Sequence, residues 1–352
     1  MIYLFLIIIF CLPIFYRHKI SFFCSETWYW GECVLLILVA GLRLVVGGDT
    51  QTYMTDFDRY PTLEELNIFT FAMFRYQPLW ILMNVIAKSI YPEFYVLQLM
   101  LSCIVNPVTF YIIKKETDKK FEVAIVFLLF QFLYLNCEIM RETFAICIFY
   151  FAFNYLIKHK WLKYYGLCFI AFLFHDAAAF YFILPFLLPV LTKEFTPKYV
   201  AILAIVLLVF VNPFVLSKML FFLPESRVDT FTDFYSKMAI GSVLGVMRSI
   251  IELPFIYLII MYVKGHVSYK VYIGLKLYFC LHIAGLLMPV FVNRICNSYN
   301  LFYYITLVEF LYVMRKKIIT GIYCTLMTIA FARYYFVDVT NLVTSTESSD
   351  RY

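Results

Sequence analysis

The sequence predicts an all-α fold, a polytopic transmembrane helical bundle of about twelve spans with interfacial helices after the second. Composition is the first reason: 64% of the 352 residues are hydrophobic and 15% charged, whereas a soluble domain is about one quarter charged. The second is that apolar windows close to the roughly 20 residues a spanning helix requires recur along the whole chain. These runs are continuous instead of alternating, which selects helices over an outer-membrane barrel.

In chain order the spans fall near 1–16, 28–47, 94–113, 121–139, 143–157, 161–175, 177–192, 199–216, 247–263, 271–290, 297–314 and 318–336. Several are short for a hydrocarbon core, so their ends extend into polar flanks or the bilayer thins locally. The first run lacks a basic leader and a small-residue cleavage site, and reads as a retained helix. Residues 1–343 form a single transmembrane domain without Pro/Gly/Ser linkers or a detectable repeat, and 344–352 a short polar tail. Polar residues gather in two outer loops, about 47–77 and 217–246.

Orientation follows from the basic residues, because short loops rich in Lys and Arg stay in the cytoplasm. The loops Arg17–Thr27, Lys114–Lys120, Lys158–Lys163, Lys193–Lys198, Lys264–Lys270 and Arg315–Lys317 agree with one alternation that puts both termini outside. Between Asp49 and Lys114 the chain must then cross an odd number of times. The 94–113 run is long and clean, whereas 77–91 is short and carries Asn84 and Lys88. Only the former crosses in this reading, and 77–91 and Leu63–Phe74 are amphipathic helices at the outer interface.

With this topology, fourteen of eighteen lysines lie on inner loops, whereas arginines 43, 59, 75, 141, 227, 248, 294, 333 and 351 fall on the outer side. Orientation alone does not require that split. A guanidinium is a planar fork that binds phosphate or carboxylate oxygens in a bidentate way and stays charged in a partly dry site. The outer arginines therefore read as an anion site, or else as side chains that snorkel to lipid phosphates. The net charge of +6 is spread over short inter-span clusters, which argues for topology and against nucleic acid. Ten cysteines occur singly, without Cys-x-x-Cys or zinc-like spacing, so no metal site is expected, a weakly held divalent cation aside.

The chemistry-bearing candidates stand at span ends. Arg43 is followed by Gly47, Gly48, Asp49 and Tyr53, so that a carboxylate sits at the membrane surface near a cation. Gly-Gly-Asp is also an ordinary helix stop. Arg141-Glu142 opens a span, and His175-Asp176 interrupts an apolar run, either as a proton-carrying or phosphate-binding imidazole or as the cap of a tight hairpin. Arg248 and Glu252 are spaced to pair on one helix face. Asn293-Arg294 brings another arginine outside. Lys276, His282 and Glu309 lie within spans, where helix-helix glue and function cannot be told apart.

The order Arg43-x-x-Val46-Gly47-x-Asp49-x-x-x-Tyr53, then Pro78-Leu79, then Arg141 at a helix start, His175 closing an Ala-Phe-Leu-Phe-His run, and Asn293-Arg294 before an aromatic span resembles the EpsG family. These are Wzy-like membrane proteins of bacterial capsule and exopolysaccharide clusters. The chain departs from the family pattern at Glu142 and Asp176. The resemblance implies a glycosyltransferase at the bacterial cytoplasmic membrane that polymerises polyprenyl-pyrophosphate-linked oligosaccharide repeat units on its outer face. A flippase and a chain-length regulator of the same pathway are partners it suggests.

Such a reaction requires a cationic clamp for the departing pyrophosphate and an acceptor for the hydroxyl proton. Arg43, Arg141, Arg248 and Arg294 are the clamp candidates, Asp49 the base or acceptor and His175 the reserve base. Tyr53 and Glu252 are weaker substrate-binding candidates, and no cofactor is expected. The layout also looks like C-type membrane glycosyltransferases, by analogy only. A flippase of the same lipid-linked sugar and an O-antigen-ligase-like transferase are the alternatives. A flippase, however, would distribute charge through the midplane and usually carry an internal repeat.

Overall fold

A computed structural model describes residues 2–16, 22–44, 46–210, 239–287 and 294–314. Its described residues are helical, without a strand, as the continuous apolar runs require. The helices are α1 (Ile2–Phe15), α2 (Phe22–Gly41), α3 (Thr50–Arg59), α4 (Thr70–Met73), α5 (Pro78–Ile90), α6 (Phe94–Glu116) and α7 (Lys120–Phe130). A π-helical turn at Tyr134–Glu138 leads into α8 (Met140–Ile157) and α9 (Trp161–Phe172). A 3₁₀ segment (Asp176–Ile183) then precedes α10 (Leu184–Thr192), α11 (Pro197–Phe210), α12 (Ala239–Val263), α13 (Tyr269–Ala284) and α14 (Asn300–Met314). Two compact units emerge: one holds the described residues up to Phe182 together with Met314, the other the described residues within Ile183–Val313.

Helices occupy each described stretch read as a span, but only α6 and α8 are long and apolar enough to cross a membrane by that measure alone. At about 1.5 Å per residue they reach roughly 27–35 Å, which covers a hydrocarbon core of about 30 Å. Six further apolar stretches, among them Pro78–Ile90, Asp176–Thr192 and Asn300–Met314, are shorter. The span at 318–336, loop residues 217–238 and the tail at 344–352 lie outside the described residues.

Three boundaries differ from the sequence reading. The amphipathic helix of the first polar loop is α3, not Leu63–Phe74, of which only Thr70–Met73 is helical. Tyr53 and Phe57 on one face of α3 are buried, and its other residues are mostly exposed, so the tertiary contact of that face decides where the helix forms. The predicted span 121–139 stops at Phe130 and continues as the π turn. The second loop ends earlier than 246, because α12 is already helical from Ala239.

In the first unit α2 packs against α6 and α8 against α9. One end of this packing is rich in lysine: Lys114 and Lys120 each approach the Glu26 carboxylate at 2.5 Å, tying α6 and α7 to the start of α2. At the other end Ser102 donates to the Ile37 carbonyl at 3.1 Å. Gly41 is needed there, since a β-carbon would stand 2.9 Å from the Leu99 main chain. Arg43, Asp49 and Arg141 follow or begin helices at this second end.

In the second unit, lysines again terminate helices. Lys276 donates to the Leu191 and Lys193 carbonyls at 3.0 and 2.7 Å, satisfying the C-terminus of α10, and so acts as helix-helix glue. Lys264 pairs with Glu194, and the Ser268 side chain caps α13 by accepting the Val271 N–H.

Gly41→Ala is expected to destabilise the α2–α6 contact by about 1–3 kcal/mol through overpacking. Gly31→Ala on the same helix, where an added methyl meets nothing within 4 Å, is expected to be neutral or stabilising by up to about 1 kcal/mol. Thermal unfolding of the two purified variants in detergent checks the contrast.

Candidate functional site

The arginine end of the first unit is organised by the chain between α3 and α5. Tyr60, Ile81 and Val85 form a small core against which Leu66, Phe71, Phe74 and Tyr76 pack, folding the 60–76 stretch back over α5. Pro78 stands at the first turn of α5, with Gln77 extended before it. The Leu79 N–H donates to the Leu173 carbonyl at 3.0 Å, so the segment 76–79 is held against the end of α9.

This segment receives Arg141 from the start of α8. The guanidinium carbon lies 4.2 Å from the centroid of the Tyr76 ring, and an N–H donates to Gln77 Oε1 at 3.0 Å. Tyr76 is oriented in turn: its hydroxyl donates to Asp56 Oδ2 at 2.6 Å and accepts from Arg75 at 2.7 Å. Asp56, on α3, also has Arg59 and Arg75 near it, at 3.9 and 4.0 Å. A half-buried cation is thus gripped by a ring face and an amide, and the ring by a carboxylate.

Phenols surround the guanidinium. Burial pushes the Tyr53 hydroxyl above its ordinary range, and the Arg141 charge beside it works in the opposite direction, with Asp49 adding to the rise. Burial likewise raises Tyr60 and Tyr76, helped at Tyr76 by its bond to Asp56. All three therefore stay protonated donors at neutral pH. Arg141 Nε and the Tyr60 hydroxyl are buried and lack a hydrogen-bond partner among the described residues.

Tyr53 also meets the Trp80 ring edge-on at 5.5 Å; Trp80 lies 6.3 Å from Phe144, which stacks on Phe174 at 5.0 Å. The aromatic chain thus runs from α3 to the neighbour of His175. The His175 ring accepts the Ala177 N–H at 3.1 Å through Nδ1 and lies 3.4 Å from the Asp176 carboxylate. That places Nδ1 in the capping position of the 3₁₀ segment and assigns the proton of the neutral ring to Nε2. Of the two readings left open by the sequence, this geometry favours the cap.

Arg43 is at the same end but differently employed. It donates to the Ala40 carbonyl and, at 2.8 Å, to the Asn136 carbonyl of the π turn, neutralising the C-terminus of α2. Gly47 closes the contact with φ +103°, and an added β-carbon would stand 2.8 Å from the Cys137 carbonyl oxygen. The glycine of the Gly-Gly-Asp stop is therefore required both by its conformation and by the π turn beneath it. Thr50 Oγ1 lies 2.9 Å from the same carbonyl. Asp49 itself is exposed at the start of α3 and makes no capping hydrogen bond.

Arg294 and Glu252 belong to the second unit, and the side chain of Arg248 lies outside the described residues. Arg294 is exposed ahead of α14. Glu252, read as an i,i+4 partner of Arg248, has His282 Nε2 at 2.7 Å, thirty residues away on α13. Helical spacing identified the nearest candidate along one helix and had no access to the neighbour across the hairpin. Tyr76, Gln77, Asp56 and Tyr60 were missed as well, because a polar loop carries no periodicity to mark which residues turn inward.

Among the described residues no group of three or more His, Cys, Asp or Glu side chains is placed to hold a metal. An apolar groove of about 540 Å³ lined by Ile9, Trp28, Gly31 and Glu32, among others, includes none of the sequence-derived site residues.

Fold and site together define a helical membrane protein with a preorganised arginine among phenols at one end of its first unit. The EpsG family model matches residues 26–346, and the chain belongs to that family, one of Wzy-like polysaccharide polymerases. No curated protein and no solved structure matches it.

If the Tyr76 ring positions Arg141, Tyr76→Phe keeps the ring face and is expected to retain polymer yield within about threefold, whereas Tyr76→Ala loses tenfold or more. A cation–π contact of this kind is worth about 0.5–2 kcal/mol. Chain-length gels of polysaccharide from cells expressing each variant at equal level check this.

Proposed function

We propose that this protein joins polyprenyl-pyrophosphate-linked oligosaccharide repeat units at the outer face of the bacterial cytoplasmic membrane, as a glycosyltransferase. The observation that carries the reading is Arg141, a permanently charged guanidinium held half-buried between the Tyr76 ring and the Gln77 amide. Desolvating a cation is costly unless something offsets it, and a ring face and one amide oxygen provide little negative charge. A pyrophosphate would.

In glycosyl transfer the bond between the anomeric carbon and the pyrophosphate oxygen breaks, and negative charge develops on that oxygen as it leaves. A fixed guanidinium aimed at it stabilises the transition state more than the ground state, because its orientation is set beforehand. The protonated phenol of Tyr53 is a neutral donor to the same oxygens. Asp49, exposed at the start of α3, offers a carboxylate to sugar hydroxyls. Arg43 serves this centre indirectly, by anchoring α2 to the π turn from which α8 and Arg141 follow. His175 shapes the α9 end through its cap. Arg294, exposed in the second unit, is a further candidate for a lipid-linked anion.

Arg141→Ala is expected to lower polymer yield at least 100-fold while single lipid-linked units still reach the outer leaflet. Arg141→Lys is expected to restore little, since an ammonium lacks the planar fork. An extracted-polysaccharide gel, with accessibility of the single unit to an external glycosidase, checks both. Units trapped on the inner side would identify a flippase instead, and a wild-type ladder from Arg141→Ala at normal expression would remove Arg141 from the reaction.

A further inference from the structure

A second polar contact braces the π turn, from the side of α6. Asn106, near the middle of α6, is fully buried and meets Asn136 of the turn, equally buried. Their side-chain amides bind each other: Asn106 Nδ2 donates to Asn136 Oδ1 at 3.2 Å, and Asn136 Nδ2 to Asn106 Oδ1 at 3.4 Å. The other N–H of each goes to a carbonyl four residues back, Ser102 O at 3.1 Å and Phe132 O at 2.8 Å. All four amide N–H groups and both amide oxygens thus have a partner, which fixes the orientation of each amide.

Stability alone does not call for such a pair. A buried amide is costly unless every donor is met, and two leucines of similar size would fill the space without that requirement. What the amides add is register: they meet at one height only, whereas apolar side chains pack at several, and a buried polar residue fixes register in coiled coils in the same way. The π turn is where register is open to slippage, because a single widened turn can sit at more than one place along a helix. Arg43 and Thr50 hold two of its carbonyls, Asn136 O at 2.8 Å and Cys137 O at 2.9 Å. Asn106 alone among these holders grips one of the turn's side chains. Arg141 follows Asn136 within the next helical turn and a half. A slip of one residue would rotate the start of α8 by about 100° and carry the guanidinium off the Tyr76 ring.

We infer that Asn106 is a positioning residue for glycosyl transfer: by pairing with Asn136 it sets the π turn in the register that aims Arg141. The inference rests on the polymerase reading and names a residue of α6 that touches neither substrate nor Arg141. Its effect runs from the amide pair through the main chain of the turn to the start of α8, all within the first unit.

The test uses the full chain in liposomes with a synthetic polyprenyl-pyrophosphate-linked repeat unit and reads polymer formation. The double variant Asn106→Leu with Asn136→Leu removes both amides together and strands neither. It is expected to melt no lower than wild type and yet to lose tenfold or more in kcat, with KM within about threefold. A misplacement of about 1 Å is enough for a loss of about 100-fold. In an Arg141→Ala background the same two leucines are expected to cost less than threefold further, because no guanidinium is left to aim.

A double-leucine variant that polymerises within threefold of wild type overturns the inference, as does one that loses only KM or one that costs a further tenfold in the Arg141→Ala background. The polymerase reading stands in those cases as long as Arg141→Ala itself loses polymer. Should the double variant not fold, Asn106→Gln replaces it, an amide displaced by one methylene: a tenfold fall in kcat at constant KM sustains the inference and an unchanged kcat overturns it. Failure of the wild-type chain to make any polymer overturns the polymerase reading itself and this inference with it.

Discussion

A guanidinium brought partly out of water at the end of a helical bundle has to be held by something other than solvent. In this chain the Tyr76 ring takes one face of Arg141 and Gln77 one of its N–H groups. Each of those holders depends on a further element: Tyr76 on Asp56 of α3, and Gln77 on the proline start of α5. Much of the first polar loop is therefore scaffold for one cation. Removing the loop's small core would free the ring, and with it the direction in which the charge points.

The same end shows how a helix interruption can be put to use. Helix α7 stops at Phe130 and the backbone widens into the π turn before α8 begins, an irregularity common at functional sites. Its freed carbonyls are not left unsatisfied: Asn136 O accepts from Arg43, and Leu135 O from Thr143 at 2.7 Å. Gly47 approaches the turn closely enough to exclude a side chain. The widened turn thereby ties the C-terminus of α2 to the stretch that precedes Arg141.

The contrast between lysine and arginine has a physical content beyond orientation. Several lysines are consumed in structure: Lys276 completes the terminus of α10, and Lys114 and Lys120 converge on Glu26. An ammonium on a flexible stem suits these point contacts. Arg141 instead uses its flat face and its edge at once, which only a guanidinium offers. Side chains of equal charge thus divide between bracing helices and presenting a preorganised cation.

By itself, the amino-acid sequence determined that the chain is helical and membrane-embedded, because composition and the length of apolar runs are properties of the chain alone. Through the ordered motif from Arg43 to Arg294 it also pointed to the EpsG family. Which arginine is gripped by what could be decided only in three dimensions. Arg43 and Arg141 are equivalent in the pattern, yet one is spent on main-chain carbonyls and the other is held against a ring. Glu252 meets His282 across a hairpin. Linear spacing carries the period of one helix, whereas these contacts join residues 30 to 93 positions apart, and it is packing that brings them together.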